Sequence, residues 1–151
     1  VSENMEIDYY LLVKTREKSY AIKASIVIEV LLVEGVQKIP GSKEYVAGVL
    51  VRNGVLIPLI DIESEKCSGN YYNYYAIIVS NNDRYIGFLC ERIDMVKGEK
   101  VNIISDNSLL RRYNYNEAFV ELLIEIDDKI YGLIEKEKLY RIIEENKIRR
   151  N

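Results

Sequence analysis

Short runs rich in valine, isoleucine, leucine and tyrosine recur along the chain between polar turn signals, the pattern of a small all-β protein built from meandering hairpins. The runs predict strands at Ile7–Lys14, Ser19–Lys23, Ile26–Val33, Tyr45–Val51, Val55–Ile62, Tyr75–Ser80, Arg84–Cys90, Phe119–Ile126 and Lys129–Ile134. Arg16-Glu17-Lys18, Asn53-Gly54, Asn81-Asn82-Asp83 and Asp127-Asp128 each separate two such runs, and Asn-Gly is the strongest two-residue hairpin signal. Neighbouring strands are therefore expected to pair antiparallel. Without long helices between the strands, parallel crossovers and a doubly wound nucleotide-binding fold are disfavoured, and small closed barrels are the economical solution. Pro58 interrupts a strand-like run and has no N–H to donate, which predicts an edge or a bulge there.

Helical periodicity is confined to the end. From Lys136 onward, Leu139, Ile142 and Ile143 recur at helical spacing among Lys, Arg and Glu, which predicts a short amphipathic C-terminal helix. Residues 64–73 are polar and contain glycine, so the expected organisation is one domain over residues 1–151 with two β subdomains divided near 64–73. A second polar stretch, 105–116, reads as loop, with the Leu109-Leu110 pair pointing to some packing.

With 48% hydrophobic and 30% charged residues in 151, the chain is apolar enough to fold without disulfides or metals. A formal charge of -3 leaves no excess of Lys and Arg for a phosphate backbone, so nucleic acid is not an expected partner. No apolar run reaches the roughly 20 residues that span a bilayer, and the acidic start lacks the regions of a signal peptide. The expected location is cytoplasmic.

The chain has no histidine and two cysteines, Cys67 and Cys90, a poor ligand supply for zinc and none for Ser-His-Asp or Cys-His mechanisms. No cofactor and no catalysis are expected. Asp61 and Glu63, two residues apart, could share a strand face like an acid/base pair, although neighbouring carboxylates on sheets are commonplace. Cys90 reads as a small buried hydrophobe and Cys67 as exposed. The tyrosines at 71, 72, 74 and 75 are read as core packing and compositional bias ahead of a binding patch, and Lys147, Arg149 and Arg150 as a solvated helix end. Glu29, inside an apolar run, must reach solvent, find a partner or lose its charge.

The most informative stretch is Gln37 to Ile62, QKIPGSKEYVAGVLVRNGVLIPLIDI, which resembles the central signature of the CheW family. Gly48, Gly54, Pro58 and Asp61 stand at matching positions without a gap. SYAIKASIVIEVLL resembles the family segment before the signature, YIGFLCERIDMV a later one, and FVELLIEIDDKIYGLIEKEKLYRII its closing strands and helix.

The resemblance implies two packed five-stranded SH3-like β-barrels with a C-terminal helix alongside. It implies a non-catalytic adaptor bridging a chemoreceptor's cytoplasmic tip and the regulatory domain of the CheA histidine kinase, recruited to membrane-bound receptor arrays without inserting into the membrane. Val27 and Glu29 match a strand used for partner contacts, while Gly48, Gly54, Pro58 and Gly87 match positions of turn and strand geometry. Asn53 stands where most members carry an arginine, and the nearest guanidinium is Arg52. Because adjacent strand residues point to opposite faces, Arg52 does not simply take that place. The alternative is therefore a diverged paralogue that scaffolds another signalling kinase or partner. A small-barrel enzyme or nucleic-acid binder ranks below both.

Overall fold

The computed structural model describes residues 8–38, 44–64, 71–97 and 101–149. Among them the elements run β1 Tyr9–Lys14, β2 Ser19–Lys23, β3 Val27–Leu32, β4 Val46–Arg52, β5 Val55–Ile60, β6 Tyr75–Asn81, β7 Arg84–Cys90, β8 Arg92–Lys97, β9 Asn102–Ile104, α1 Ser108–Arg112, β10 Val120–Ile126, β11 Lys129–Ile134 and α2 Lys136–Arg149. The protein is mostly β, as the alternation of apolar runs and turns requires.

Three hairpins close through two-residue turns with both central residues at positive φ: Asn53-Gly54 at 51° and 77°, Asn82-Asp83 at 50° and 67°, and Asp127-Asp128 at 49° and 64°. This turn matches the right-handed twist of the strands it joins, and Asn, Asp and Gly adopt the left-handed conformation more readily than other residues.

The strands form two sheets, one of six in the order β8-β1-β2-β11-β10-β9 and one of five in the order β3-β6-β7-β5-β4. β5 and β6, on either side of residues 64–73, share the five-stranded sheet. The chain changes sheet after β2, through a 3₁₀ turn at Ala24–Ile26, and returns after β7. Composition marks a polar connector but carries no information on which distant strands pair across it.

Two pairings are parallel, β5 with β7 and β11 with β2, each over two residue pairs. They join strands that do not follow each other directly, so they need no helical crossover. Beyond β3 the chain reaches round to the far edge of its sheet: Gln37 bridges Val49 of β4, with N–H···O distances of 2.9 and 3.3 Å. That bridge closes the five strands towards a barrel. Gly48 permits it, since a Cβ there would collide with the Gln37 carbonyl and the Val36 side chain.

Among the described residues, apolar side chains sort into three cores. Val33, Ala47, Ile57, Leu59, Ala76, Ile78 and Leu89 pack together within the five-stranded sheet, and Tyr10, Ala21, Ile124, Ile126 and Leu133 within the six-stranded one. The largest core is shared: Leu11, Val13 and Ile22 of one sheet meet Ile77, Val79, Ile86 and Phe88 of the other. β6 and β7 are thus buried on both faces, the reason their sequences read as continuous apolar runs instead of alternating ones. Leu139 and Tyr140 of α2 belong to the shared core. The Tyr140 hydroxyl lies 3.1 Å from the Val79 carbonyl and 2.5 Å from that of Arg84, which anchors the helix to the β6–β7 hairpin.

Candidate functional site

β3 presents two different faces. Ile28, Val30 and Leu32 are 58%, 40% and 56% exposed, while Val27, Glu29 and Leu31 alternate with them towards the protein. β3 hydrogen-bonds along one side to β6 and has no other ladder among the described residues. The tip of the β4–β5 hairpin adds exposed Val51, Val55 and Leu56. Arg52, on β4, forms an ion pair with Glu29 on β3, which ties the β4–β5 hairpin to the edge strand from the side of β3 opposite Ile28, Val30 and Leu32.

The sequence-predicted residues fall into place unequally. Val27 is half-buried and packs against the shared core, because strand alternation turns its neighbour Ile28 outward instead. Glu29 and Arg52 meet in the ion pair. Asn53 sits at the hairpin tip with φ 51°, and Gly54 follows at 77° with open space around it. Gly87 faces Leu59 in the parallel β5–β7 contact, where a Cβ would lie 2.5 Å from a Leu59 methyl and 3.2 Å from Ile78. Pro58 pairs with Val49 on an internal strand and not on an edge. It is tolerated because the parallel ladder to β7 begins only at Leu59; the β4 bulge, between Val46 and Gly48, faces Leu59 and Ile60 instead.

A polar network that the sequence did not reveal ties the two sheets together. Asp61 is only 3% exposed, and its Oδ2 accepts from Arg16 Nη2 and from the Tyr71 hydroxyl, each at 2.7 Å. Arg16 also donates to the Tyr74 hydroxyl at 2.7 Å, and that hydroxyl donates to Glu91 at 2.9 Å. Burial works against the Arg16 charge, but the hydrogen bonds to Asp61 and Tyr74 and the Asp61 carboxylate outweigh it and hold the guanidinium above its ordinary pKa. Glu63 accepts from Thr15 and from the Tyr20 hydroxyl. Burial, then the Glu63 charge, pushes the Tyr20 phenol up. Asp61 and Glu63 are therefore occupied structural carboxylates that hold the β1–β2 hairpin against the end of β5.

Tyr71 is buried and Tyr72 exposed. Cys90 is fully buried, and burial pushes its thiol up to about 12. Cys67, Arg150 and most of the 64–73 connector lie outside the described residues. Among the described residues no group of His, Cys, Asp and Glu is arranged to hold a metal ion, and no helix is long and apolar enough to cross a membrane.

The family model of the CheW-like domain matches residues 9–144. The chain belongs to the CheW-like domain family. The CheW-like chain also resembles a solved structure, the scaffolding protein TtCheW from Thermoanaerobacter tengcongensis, with a TM-score of 0.68 at 21% identity over 86% of this chain and 90% of that one. At that identity the likeness speaks for the fold, which is the CheW fold of paired β-sheets. No curated protein sequence matches the chain.

The exposed apolar face of β3 is not legible in the sequence of this CheW-like chain. Ile28, Val30 and Leu32 differ from their core-facing neighbours only in register. The period-2 signal was present in the run Val27–Leu32, but an acidic residue at Glu29 marks its own face as outward unless the arginine that meets it is known.

Proposed function

We propose that the protein is a non-catalytic adaptor that couples chemoreceptors to a CheA-type histidine kinase. The observations that carry this reading are the exposed apolar side chains on the outer face of β3, Ile28, Val30 and Leu32, and at the tip of the β4–β5 hairpin, Val51, Val55 and Leu56, with the Glu29–Arg52 ion pair tying the two strands together. Such a surface gains free energy when a partner covers it, and an apolar centre with charges around it is the ordinary anatomy of a reversible protein interface. Membership of the CheW-like family supports the reading, as does the absence of histidine from the chain, which removes the commonest proton-transfer group. The partners are the regulatory domain of the kinase and the cytoplasmic tip of the receptor, and binding them recruits a cytoplasmic protein to receptor arrays. Several modest, reversible contacts acting together suit such an assembly better than one very tight one.

Calorimetric titration of this protein with a CheA regulatory domain, and separately with a receptor cytoplasmic fragment, tests the proposal. Binding to both is expected. Binding to neither, with the protein folded, overturns it.

Asn53 favours a second reading, a diverged paralogue serving another kinase, because this tip carries an uncharged residue where the family resemblance expects arginine. Arg52 is engaged with Glu29 and is not a free substitute. Asn53→Arg should strengthen receptor-dependent kinase activation under the first reading, and unchanged or weaker activation favours the second.

A further inference from the structure

We infer that the cleft between the β1–β2 hairpin and the start of β8 is a second docking site, one that takes an acidic segment of a partner protein. The inference rests on the adaptor reading only in taking that partner to be a protein. Lys14 of β1 and Arg92 of β8 stand directly opposite each other in the antiparallel ladder, and both are exposed. Like charges in facing positions repel and destabilise a sheet. Neither makes an ion pair among the described residues, whereas other arginines of the protein do. The local fold therefore holds two cations opposite each other with neither in an ion pair among the described residues, an arrangement relieved by an anion bound between them.

The surroundings extend this pair into a site. Lys14 and Arg92 border an open cleft of about 820 Å³ that Lys18, Tyr72, Tyr74 and Tyr113 also line. Lys14, Arg16 and Lys18 alternate along the hairpin. Arg16 is taken by Asp61, and Glu91 accepts from the Tyr74 hydroxyl, but the Lys18 ammonium lies 5.8 Å from the Tyr115 ring centre with no carboxylate partner among the described residues. Exposed Tyr72 and Tyr113 supply apolar area with a polar tip, suited to the backbone and methylenes of a peptide. Glu17 and Glu91 stand in the same lining, and with the net charge of -3 they oppose densely charged polyphosphates, nucleic acids and anionic membranes. On one face of an extended acidic peptide the carboxylates stand about 7 Å apart, a lower charge density that lessens that repulsion.

The test is a titration of the ¹⁵N-labelled full chain with an octaglutamate peptide at low salt, read by amide chemical shifts. Shifts are expected at residues 14–19 and 91–93 and should fade as salt shortens the screening length. Arg92→Glu converts the repelling pair into an attracting one. It should weaken octaglutamate at least about fivefold while leaving the melting temperature unchanged or higher, a combination that a merely structural arginine does not give. Unchanged affinity in Arg92→Glu, shifts scattered over other lysines, or an equal response to octalysine or inorganic polyphosphate overturns the inference. Octaglutamate binding is measured without kinase or receptor, so a failure here and a failure of the adaptor reading are separate results.

Discussion

β3 and β6 are hydrogen-bonded neighbours with similar apolar sequences, VIEVLL and YAIIVSN. In β6, Ala76 and Ile78 fill the core of their own sheet while Ile77 and Val79 fill the shared one, so both faces are covered. In β3 the outer face, Ile28, Val30 and Leu32, is open to water. The difference arises from position in the sheet: β6 is internal and backed by the other sheet and by α2, whereas β3 is at the edge. One strand is therefore buried on both sides, and its neighbour keeps an open apolar face.

The largest effect should follow from attacking the doubly buried strand. Ile77→Asp places an unpaired carboxylate in the shared core and should cost more than about 4 kcal/mol, read as loss of cooperative urea unfolding by circular dichroism. A stable Ile77→Asp protein would erase the contrast between the strands.

Val27 is the residue of β3 that behaves like β6. Half-buried against the shared core, it should lose roughly 1–3 kcal/mol as Val27→Asp, in place of the loss of binding with an unchanged fold expected if it were on the surface. Equal urea midpoints for variant and parent would return Val27 to the exposed face.

A similar or smaller loss is expected where the two sheets are tied by charge. Arg16→Met leaves the buried Asp61 carboxylate with Tyr71 but without its guanidinium, a loss of about 1–3 kcal/mol. Arg16 is about one-third exposed, so the low end of that range applies. The double variant with Asp61→Asn should recover part of it.

Alkaline pH probes the buried side of the comparison as a whole. Burial raises the Cys90 thiol from 9.0 to about 12 and the Tyr115 phenol from 10.0 to about 12. Both groups fold as neutral acids, so their contribution to stability is complete below the ordinary values and is lost as pH rises through about 12. Urea midpoints that stay constant from neutral pH to that limit would contradict the burial of these groups.

Ile28→Ser and Leu32→Ser on the open face should shift stability by no more than about 0.5 kcal/mol. Their consequence should appear in calorimetry with the kinase regulatory domain or the receptor fragment, where affinity falls. Retained affinity for both partners removes this face from the adaptor surface.

Much of the fold was legible in the chain. The two-residue turns at Asn53-Gly54 and Asp127-Asp128 announced their hairpins through residues that accept positive φ, and Leu139 marked the buried side of α2 from its spacing with Ile142 and Ile143. β8 and β9 were missed because Arg92–Lys97 interleaves charges with its apolar residues and Asn102–Ile104 is too short for a periodic signal. α1 was missed because Ser108–Arg112 is barely more than one turn, held by Leu110 in the shared core. The candidate site was half legible: Glu29, Arg52 and Asn53 were named, but the apolar residues that surround them were not.

The sequence by itself determined the β character, the hairpin turns, the C-terminal helix and the lack of histidine chemistry, because each depends on residues close in the chain or on composition. Tertiary structure alone decided that the chain leaves the first sheet after β2 and returns to it after β7, that Asp61 meets Arg16, and that Lys14 faces Arg92. It also decided which side of β3 faces water. Those outcomes depend on strand register and on burial shared between distant segments. A shift of one residue exchanges the two faces of a strand while leaving its composition and periodicity the same.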